Sequence, residues 1–411
     1  MSAKAVSEIL PDGWHQSELG KVAKWGSGGT PKTGTQAFYG GGIPWAVIGD
    51  LTETWVSETS QTITKAGLDK SSAKIVQPGT VMLAMYGASI GRTGIAAIEL
   101  ATNQAIAFAV PVEGVINNQF LLKYIQSQKE VFVRAGQGGA QPNISQTVIK
   151  PWPIPVPPLT EQEKIVEILE EQFSRLDAAL ASVRVLRAKA ARFRRSLLHA
   201  AFTGALSGHD SPSGTLPEGW KIEELRELVD VLDSMRKPIN STERLERIGT
   251  VPYFGATGQV GTIDKALFDE NLVLLGEDGV QFFDVDKYKA YEISGPSWVN
   301  NHAHVLRCRN EKYIQRLLVC FLNQFDYRNY ANGTTRLKLT QAAMNRIPVV
   351  VPPIKVQENI VEILEEQLSR LDAALVVADA IEKKTSALRR SLLNSAFTGE
   401  LTREWREGAH V

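Results

Sequence analysis

The chain has 411 residues, enough for two or more domains with cores of their own. Apolar residues make up 43% and charged residues 22%, and 45 basic side chains offset 45 acidic ones. That is ordinary globular composition with no whole-protein field to draw in a polyanion, so any nucleic-acid contact must come from local arrangement. No apolar run reaches the length of a membrane span and no signal-peptide pattern is present, so a cytoplasmic location is expected. Cys308 and Cys320 are too few for a disulfide framework or a Cys-based zinc site and read as buried thiols.

A first LPDGW motif at 10–14 leads into a variable segment. Within it GSGGTPKTG (26–34) has Pro31 where a phosphate loop needs glycine, so it reads as a polar turn carrying Lys32. GTVMLAMYGASIGRTGIAAI (79–98) reads as two short buried strands around a glycine turn with Arg92. Its glycine spacing does not match a dinucleotide fingerprint. NNQFLLKYIQSQKEVFVRAG (117–136) reads as an amphipathic helix, followed by the polar glycine loop GQGGAQPNISQ (136–146). VPP at 156–158 marks a stop, and Thr160 with Glu163 predicts a capping box at the start of a long helix.

Along that helix Val166, Phe173 and Leu180 alternate in heptad spacing with Leu169, Leu176, Val183, Ala190 and Leu197. Acids crowd its first half (Glu161, Glu163, Glu167, Glu170, Glu171, Asp177), and the second half holds only bases, Arg184 through Arg195. Macrodipole matching explains part of this polarity. Antiparallel pairing with a second such helix explains more, because each acidic half then lies beside a basic half. Arg187, Arg194, Glu382 and Arg389 fall on seam positions, where the pairing should loosen or face another chain.

After the Ser/Gly/Pro-rich linker SGHDSPSGT (207–215) the pattern begins again. LPEGW (216–220) repeats the opening motif, and VEILEEQLSRLDAAL (361–375) repeats VEILEEQFSRLDAAL (166–180) with one change. RRSLLNSAFTG (389–399) likewise repeats RRSLLHAAFTG (194–204). The offset falls from 206 to 195 across the unit, so the first insert is 11 residues longer than the second. The repeat implies a pseudo-two-fold frame around two unlike inserts, and its order would survive circular permutation. In the second insert ENLVLLGEDGVQFF (270–283) and WVNNHAHVLRC (298–308) read as strands, YIQRLLVCFLNQFDYRNYANG (313–333) as helix and loop. His302 and His304 lie two apart on one strand face, as metal ligands could, but no third ligand is visible and they read as structural.

No Asn/Asp-Pro-Pro-Tyr/Phe methyltransferase motif, Pro-Asp…Glu-x-Lys nuclease pattern or Gly-x-Ser-x-Gly elbow occurs, so no catalytic centre is expected in this chain. What remains is recognition chemistry. The loops 136–146 and 331–341 occupy equivalent places ahead of the two proline-rich stops. Gln137, Gln141 and Asn143 in the first, and Asn332, Thr334, Thr335, Arg336 and Lys338 in the second, can address base edges and phosphates. Lys32, Arg92, Arg236 and Lys237 near other turns could add phosphate contacts.

Taken in order, these segments resemble the specificity subunit of type I restriction–modification systems over essentially the whole chain. The resemblance is carried by GGTPKTGTQAFYGGGIPWAVIGDL (28–51), TNQAIAF (102–108), RKPINSTERLERIGTVPYFGATGQVGTID (236–264), LLGEDG (274–279), VNNHAHVLR (299–307), both proline-rich stops and both AFTG-ending helices. It implies an α+β chain of two mixed α/β target recognition domains separated by two long helices in an antiparallel coiled coil. The expected boundaries are 1–158, 159–206, 207–353 and 354–411. It further implies a non-catalytic reader of double-stranded DNA at an asymmetric bipartite site. Two modification subunits would dock along the seam residues Leu169, Phe173, Leu176, Leu180, Leu364, Leu368, Leu371 and Leu375. S-adenosylmethionine, ATP and magnesium would belong to the modification and restriction subunits, not to this chain. The alternatives are a specificity subunit of a methylation-only or type IIB-like system, a coiled-coil scaffold with protein-binding domains, and a self-sufficient methyltransferase or nuclease.

Overall fold

The computed structural model describes residues 10–52, 54–136, 142–208, 215–333 and 336–408. Its contacts group into two units, one of Met1–Ala181 with Ile381–Val411 and one of Ser182–Ala380. Each unit contains one recognition domain and half of each long helix. The helices begin at Leu159 and Ile354, where the sequence places the 158/159 and 353/354 boundaries, but they do not form a separate body.

In the first unit the strand after LPDGW, His15–Glu18, pairs antiparallel with Pro153–Val156, so the chain enters and leaves the domain side by side. Between them lies a five-stranded sheet in the order Ala23–Ser27, Ile106–Pro111, Val81–Ala84, Thr93–Ala96, Trp55–Val56. The unbroken apolar run in 81–84 marks a strand covered on both faces. Val81 and Leu83 turn toward Phe120, Leu121 and Ile125 of the helix Asn118–Ser127. Met82 and Ala84 turn the other way, onto Ala46, Leu51 and Leu100, as the two-residue period of a strand requires. A second sheet of four short strands (Thr62–Ile63, Tyr39–Ala46, Leu100–Thr102, Ile75–Val76) completes the domain.

The second unit follows the same plan. Lys221–Glu224 pairs antiparallel with Pro348–Val351, and the sheet runs Val229–Val231, Ala303–Cys308, Leu272–Gly276, Ala290–Ile293. Val273 and Leu275 face the helix Gln315–Gln324, while Leu272 and Leu274 face a smaller core with Val299 and Val305. Cys308 and Cys320 are free and buried, and burial pushes their thiols up to about 12 and about 11.

The long helices run Leu159–Thr203 and Ile354–Phe397. Thr160 does not cap the first one, because the helix already begins at Leu159 and both Thr160 and Glu163 are exposed. A buried glutamine fixes the start instead. Gln162 accepts from the Asn117 N–H at 2.7 Å and donates to the carbonyls of Val115 and Pro157 at 3.0 and 2.9 Å. Gln357 repeats this in the second unit, accepting from Ile314 N–H and donating to Lys312 and Pro352. Each glutamine therefore satisfies three buried backbone groups where the domain joins its helix.

Within each unit the two helices are antiparallel, as charge polarity implied. Asp177 pairs with Arg389 at 2.7 Å in the first unit. Arg194 pairs with Asp372, and Arg187 with Asp379 at 2.6 Å, in the second. Asp177–Arg389 and Asp372–Arg194 are the same pair seen twice through the repeat. The seam arginines thus bridge to the opposite helix, in place of the loosened packing expected there. Such exposed pairs are worth about 0.2–1 kcal/mol each, so they select orientation while the buried Leu169, Val183, Ala190, Leu364 and Ala378 supply cohesion.

The seam leucines do not all face a partner chain. Leu169 and Phe173 are buried in the first core with Phe397, and Leu364 and Leu368 in the second with Tyr313, while Leu176, Leu180, Leu371 and Leu375 are half-buried. The helix residues that present most apolar surface are Val185, Phe193, Val376, Val377 and Leu388, at 44–67% exposure. Among the described residues no helix is long and apolar enough to cross a membrane.

Candidate nucleic-acid interface

Both recognition domains build the same rim from different side chains. In the first, Tyr86 and Asn143 form a backbone bridge, flanked by Ile144 N–H to the Met85 carbonyl at 2.9 Å and Met85 N–H to Ala105 at 2.9 Å. In the second, Asp278 and Lys338 form the bridge, flanked by Leu339 N–H to Glu277 at 2.8 Å and Glu277 N–H to His302 at 2.8 Å. The turn leading to the strand matches as well. Asn103 accepts from Ala105 N–H at 3.1 Å, and Asn300 from His302 N–H at 2.8 Å. Position by position, Met85, Tyr86, Ala105, Asn143 and Ile144 correspond to Glu277, Asp278, His302, Lys338 and Leu339.

On the first rim Asn143 is exposed and Tyr86 is 41% exposed. Arg92 is half-buried on the turn between two strands, its carbonyl accepting from Ala84 N–H at 2.8 Å. Lys32 is exposed on a neighbouring turn, which Thr30 ties to Gln104. Two glycines of 26–34 stand where no side chain fits. A Cβ at Gly28 would collide with the Thr102 carbonyl, and one at Gly29 with the backbone at Ser72 and Ala73. Gln137, Gln141, Thr334 and Thr335 lie outside the described residues.

The second rim is a charge network. The Arg336 guanidinium meets Asp278 Oδ1 at 2.5 Å, and Lys338 Nζ meets Glu277 Oε1 at 3.0 Å. These side chains remain 60% and 55% exposed, so each cation is held yet open to solvent. His302 Nδ1 reaches the same Asp278 oxygen at 2.8 Å. Asn332 is exposed on the strand paired with Lys338, and Lys237 is exposed beyond Arg236. The sequence reading singled out the cations and missed Glu277 and Asp278. The signal available was two adjacent acids in LLGEDG on the loop bridged to the cationic one.

Arg236 does a different job from the phosphate contact expected of it. Its side chain is only 14% exposed, and it bridges Glu277 at 2.8 Å and Asp233 at 3.3 Å while donating to the Ala303 carbonyl at 2.7 Å. Beneath it His304 is 1% exposed, with Nδ1 on Asp233 Oδ2 at 2.6 Å and Nε2 on the Leu339 carbonyl at 2.9 Å. Donor atoms of Asp233, Glu277 and His304 gather within 4.8 Å, a spacing that could suit a metal ion. The Arg236 guanidinium already supplies the cation there, and both His304 nitrogens are committed to acceptors. Such a buried network fixes the rim more than it binds a ligand.

Burial alone would raise the Asp233 carboxyl, but His304, the Val305 N–H and Arg236 outweigh it and hold it below the usual 3.8. Glu277 is likewise held below 4.5, where burial is outweighed by Arg236, Lys338 and His304. Carboxyls with depressed values stabilise the fold above their unfolded range, and that stability is lost as pH falls through the folded one. Thermal melts between about pH 6 and 3 should therefore show the second unit losing stability steeply below about pH 4. Asp233→Asn should be less stable near neutrality and have a shallower acid limb. Parallel curves for the two proteins would remove Asp233 from the account.

The paired rims on a helix-borne frame define a class: an internally duplicated chain with the same bridged rim in each of two unlike domains. The type I restriction modification DNA specificity domain matches residues 11–181 and 217–375, and the chain belongs to that family. It is similar to the type I restriction enzyme MjaIX specificity subunit of Methanocaldococcus jannaschii, 27% identical over 164 residues, 39% of this chain and 38% of that one. It is also similar to the StySPI specificity subunit of Salmonella potsdam, 27% identical over 279 residues, 62% and 58% of the two chains. The matched stretches thus span less than two thirds of these relatives. Two solved structures share the fold. One, from work on complex assembly and conformational transition of the type I R-M system, has a TM-score of 0.69 at 17% identity, covering 95% of this chain and 99% of that chain. The other, the HsdS subunit of Thermoanaerobacter tengcongensis, has a TM-score of 0.52 at 19% identity, covering 95% and 98%.

Proposed function

We propose that this chain is the non-catalytic DNA-reading subunit of a type I restriction–modification complex, each recognition domain reading one half of an asymmetric bipartite site. The observation that carries this reading is the bridged rim, built on the same backbone bonds in both domains but offering Tyr86 and Asn143 in one and Asp278 and Lys338 in the other. One scaffold with two sets of side chains suits two different half-sites. Modification subunits would supply S-adenosylmethionine chemistry on an adenine flipped from each half-site, and restriction subunits the ATP- and magnesium-dependent steps. Their docking would use apolar residues exposed on the helices within each unit, Val185, Phe193, Val376 and Val377 in the second and Leu388 in the first.

Arg336 and Lys338 give the test. A bidentate Arg336–guanine contact predicts that Arg336→Ala costs about 1–3 kcal/mol and relaxes one position of one half-site. Lys338→Ala, removing a phosphate contact, should weaken all sequences alike and lower the salt slope by about one. Binding titrations of the assembled methyltransferase at two salt concentrations decide it. Wild-type behaviour in both variants would move the reading surface elsewhere.

A further inference from the structure

Asp278 Oδ1 is shared by two groups on the second rim, Arg336 Nη2 at 2.5 Å and His302 Nδ1 at 2.8 Å. In the tautomer whose Nδ1–H donates to this carboxylate, Nε2 carries the lone pair and is an acceptor. His302 is 39% exposed in its side chain, and Nε2 has no partner among the described residues. An acceptor on an open rim beside a fixed guanidinium is an unusual pairing, because Arg336 can only donate.

The comparison between the two domains argues against a scaffold role for this ring. The backbone at His302 makes the same two bonds as Ala105 in the first domain: its N–H to an asparagine Oδ1, and its carbonyl to the N–H of the bridge-flanking residue. The fold of the rim therefore needs no imidazole at this position. Ala105 is 7% exposed, and the first domain has no charged pair at its bridge for a ring to join. His302 belongs to what differs between the rims.

We propose that His302 is a specificity-determining residue of the second recognition domain, its Nε2 accepting from the exocyclic amino group of an adenine or cytosine. Asp278 is the positioning residue that aligns it with Arg336. Adenine N6 and cytosine N4 are the two major-groove amino donors, and neither thymine nor guanine presents one there. The Arg336–Asp278–His302 set would then read a donor-bearing base next to an acceptor-bearing guanine. This rests on the DNA-reading function proposed above.

The test uses the complete chain assembled with its modification subunits and a library of duplexes randomised over the recognised half-sites. His302→Ala should bind the wild-type site about tenfold more weakly, leave affinity for unrelated duplex and the salt slope unchanged, and lose preference for adenine or cytosine at one position only. His302→Gln, which can accept through its amide oxygen, should restore part of that preference. Asp278→Asn should relax the same position together with the adjacent guanine. Unchanged discrimination in His302→Ala would overturn the proposal, and so would an equal loss on specific and unrelated DNA. If the wild-type complex itself shows no sequence preference, the DNA-reading function fails and this inference with it. A melting curve for His302→Ala matching wild type, as the alanine at position 105 leads one to expect, separates lost reading from lost folding.

Discussion

Glu161→Ala is expected to lower the stability of the first unit by about 3 kcal/mol. The Glu161 side chain is 3% exposed and takes three donors: Trp14 Nε1 at 2.9 Å, Thr402 Oγ1 at 2.6 Å and Arg406 Nη1 at 2.5 Å. Alanine would leave an indole N–H and a mostly enclosed guanidinium without an acceptor, and that desolvation is the larger part of the loss. Arg406→Met keeps the other two donors but leaves the buried carboxylate without its cation, and should cost about 3 kcal/mol as well. Hydrogen exchange in the strand His15–Glu18 is the direct measurement, because Trp14 stands at its start. A change under about 0.5 kcal/mol in Glu161→Ala would show that the tail is held by apolar packing alone. The second unit offers an internal control. Val356 occupies the position of Glu161, and the buried Trp220 Nε1 has no hydrogen-bond partner among the described residues. Val356→Glu should not produce an equivalent gain, since no arginine in the described linker answers Arg406.

The largest functional change should follow from lengthening both helices together. The boundary between the units crosses the first helix at Ala181/Ser182 and the second at Ala380/Ile381. Four residues inserted at both points add about 6 Å of helix to each and leave the contacts inside each unit as they are. If the helices set the spacing of the half-sites, the recognised spacer should grow by one to two base pairs, at about 3.4 Å each, with both half-sites unchanged. Insertion into the first helix alone would shift Asp177 or Arg194 out of register with Arg389 or Asp372, so the paired insertion is the informative one. Methylome sequencing of cells carrying the altered complex reads the outcome. Altered half-site bases with an unchanged spacer would refute the division of labour.

What could be read from the sequence was whatever repeats or has a short period. The duplicated helix, its heptad and its acid-to-base gradient gave antiparallel pairing, and the run 81–84 gave a strand covered on both faces. What could not be read depends on contacts distant in the chain. Gln162 looks like any polar residue in a first helical turn until Asn117 and Val115 arrive beside it. Arg236 looks like a surface cation until Glu277 and Asp233 enclose it, and Thr160 looks like a cap although the helix starts at Leu159, ahead of it. Lys338 and Arg336 were picked for their charge, yet their acids stand about 60 residues earlier, beyond any local pattern.

The antiparallel strands at the foot of each domain have a consequence for how such a chain can change. His15 lies opposite Val156 and Lys221 opposite Val351, so the two ends of each insert leave the helix-bearing frame as neighbours. A foreign domain would need two adjoining extended ends, an N–H and a carbonyl for the glutamine at the helix start, and an apolar face to cover the helix residues now buried in the domain core, such as Leu169 and Phe173. The frame imposes no condition on the rim, where the reading would be done. One insert can thus be exchanged whole while the exposed faces of the two helices stay untouched. If the chain reads DNA as proposed above, one recombination event that exchanges an insert would give it a new half-site.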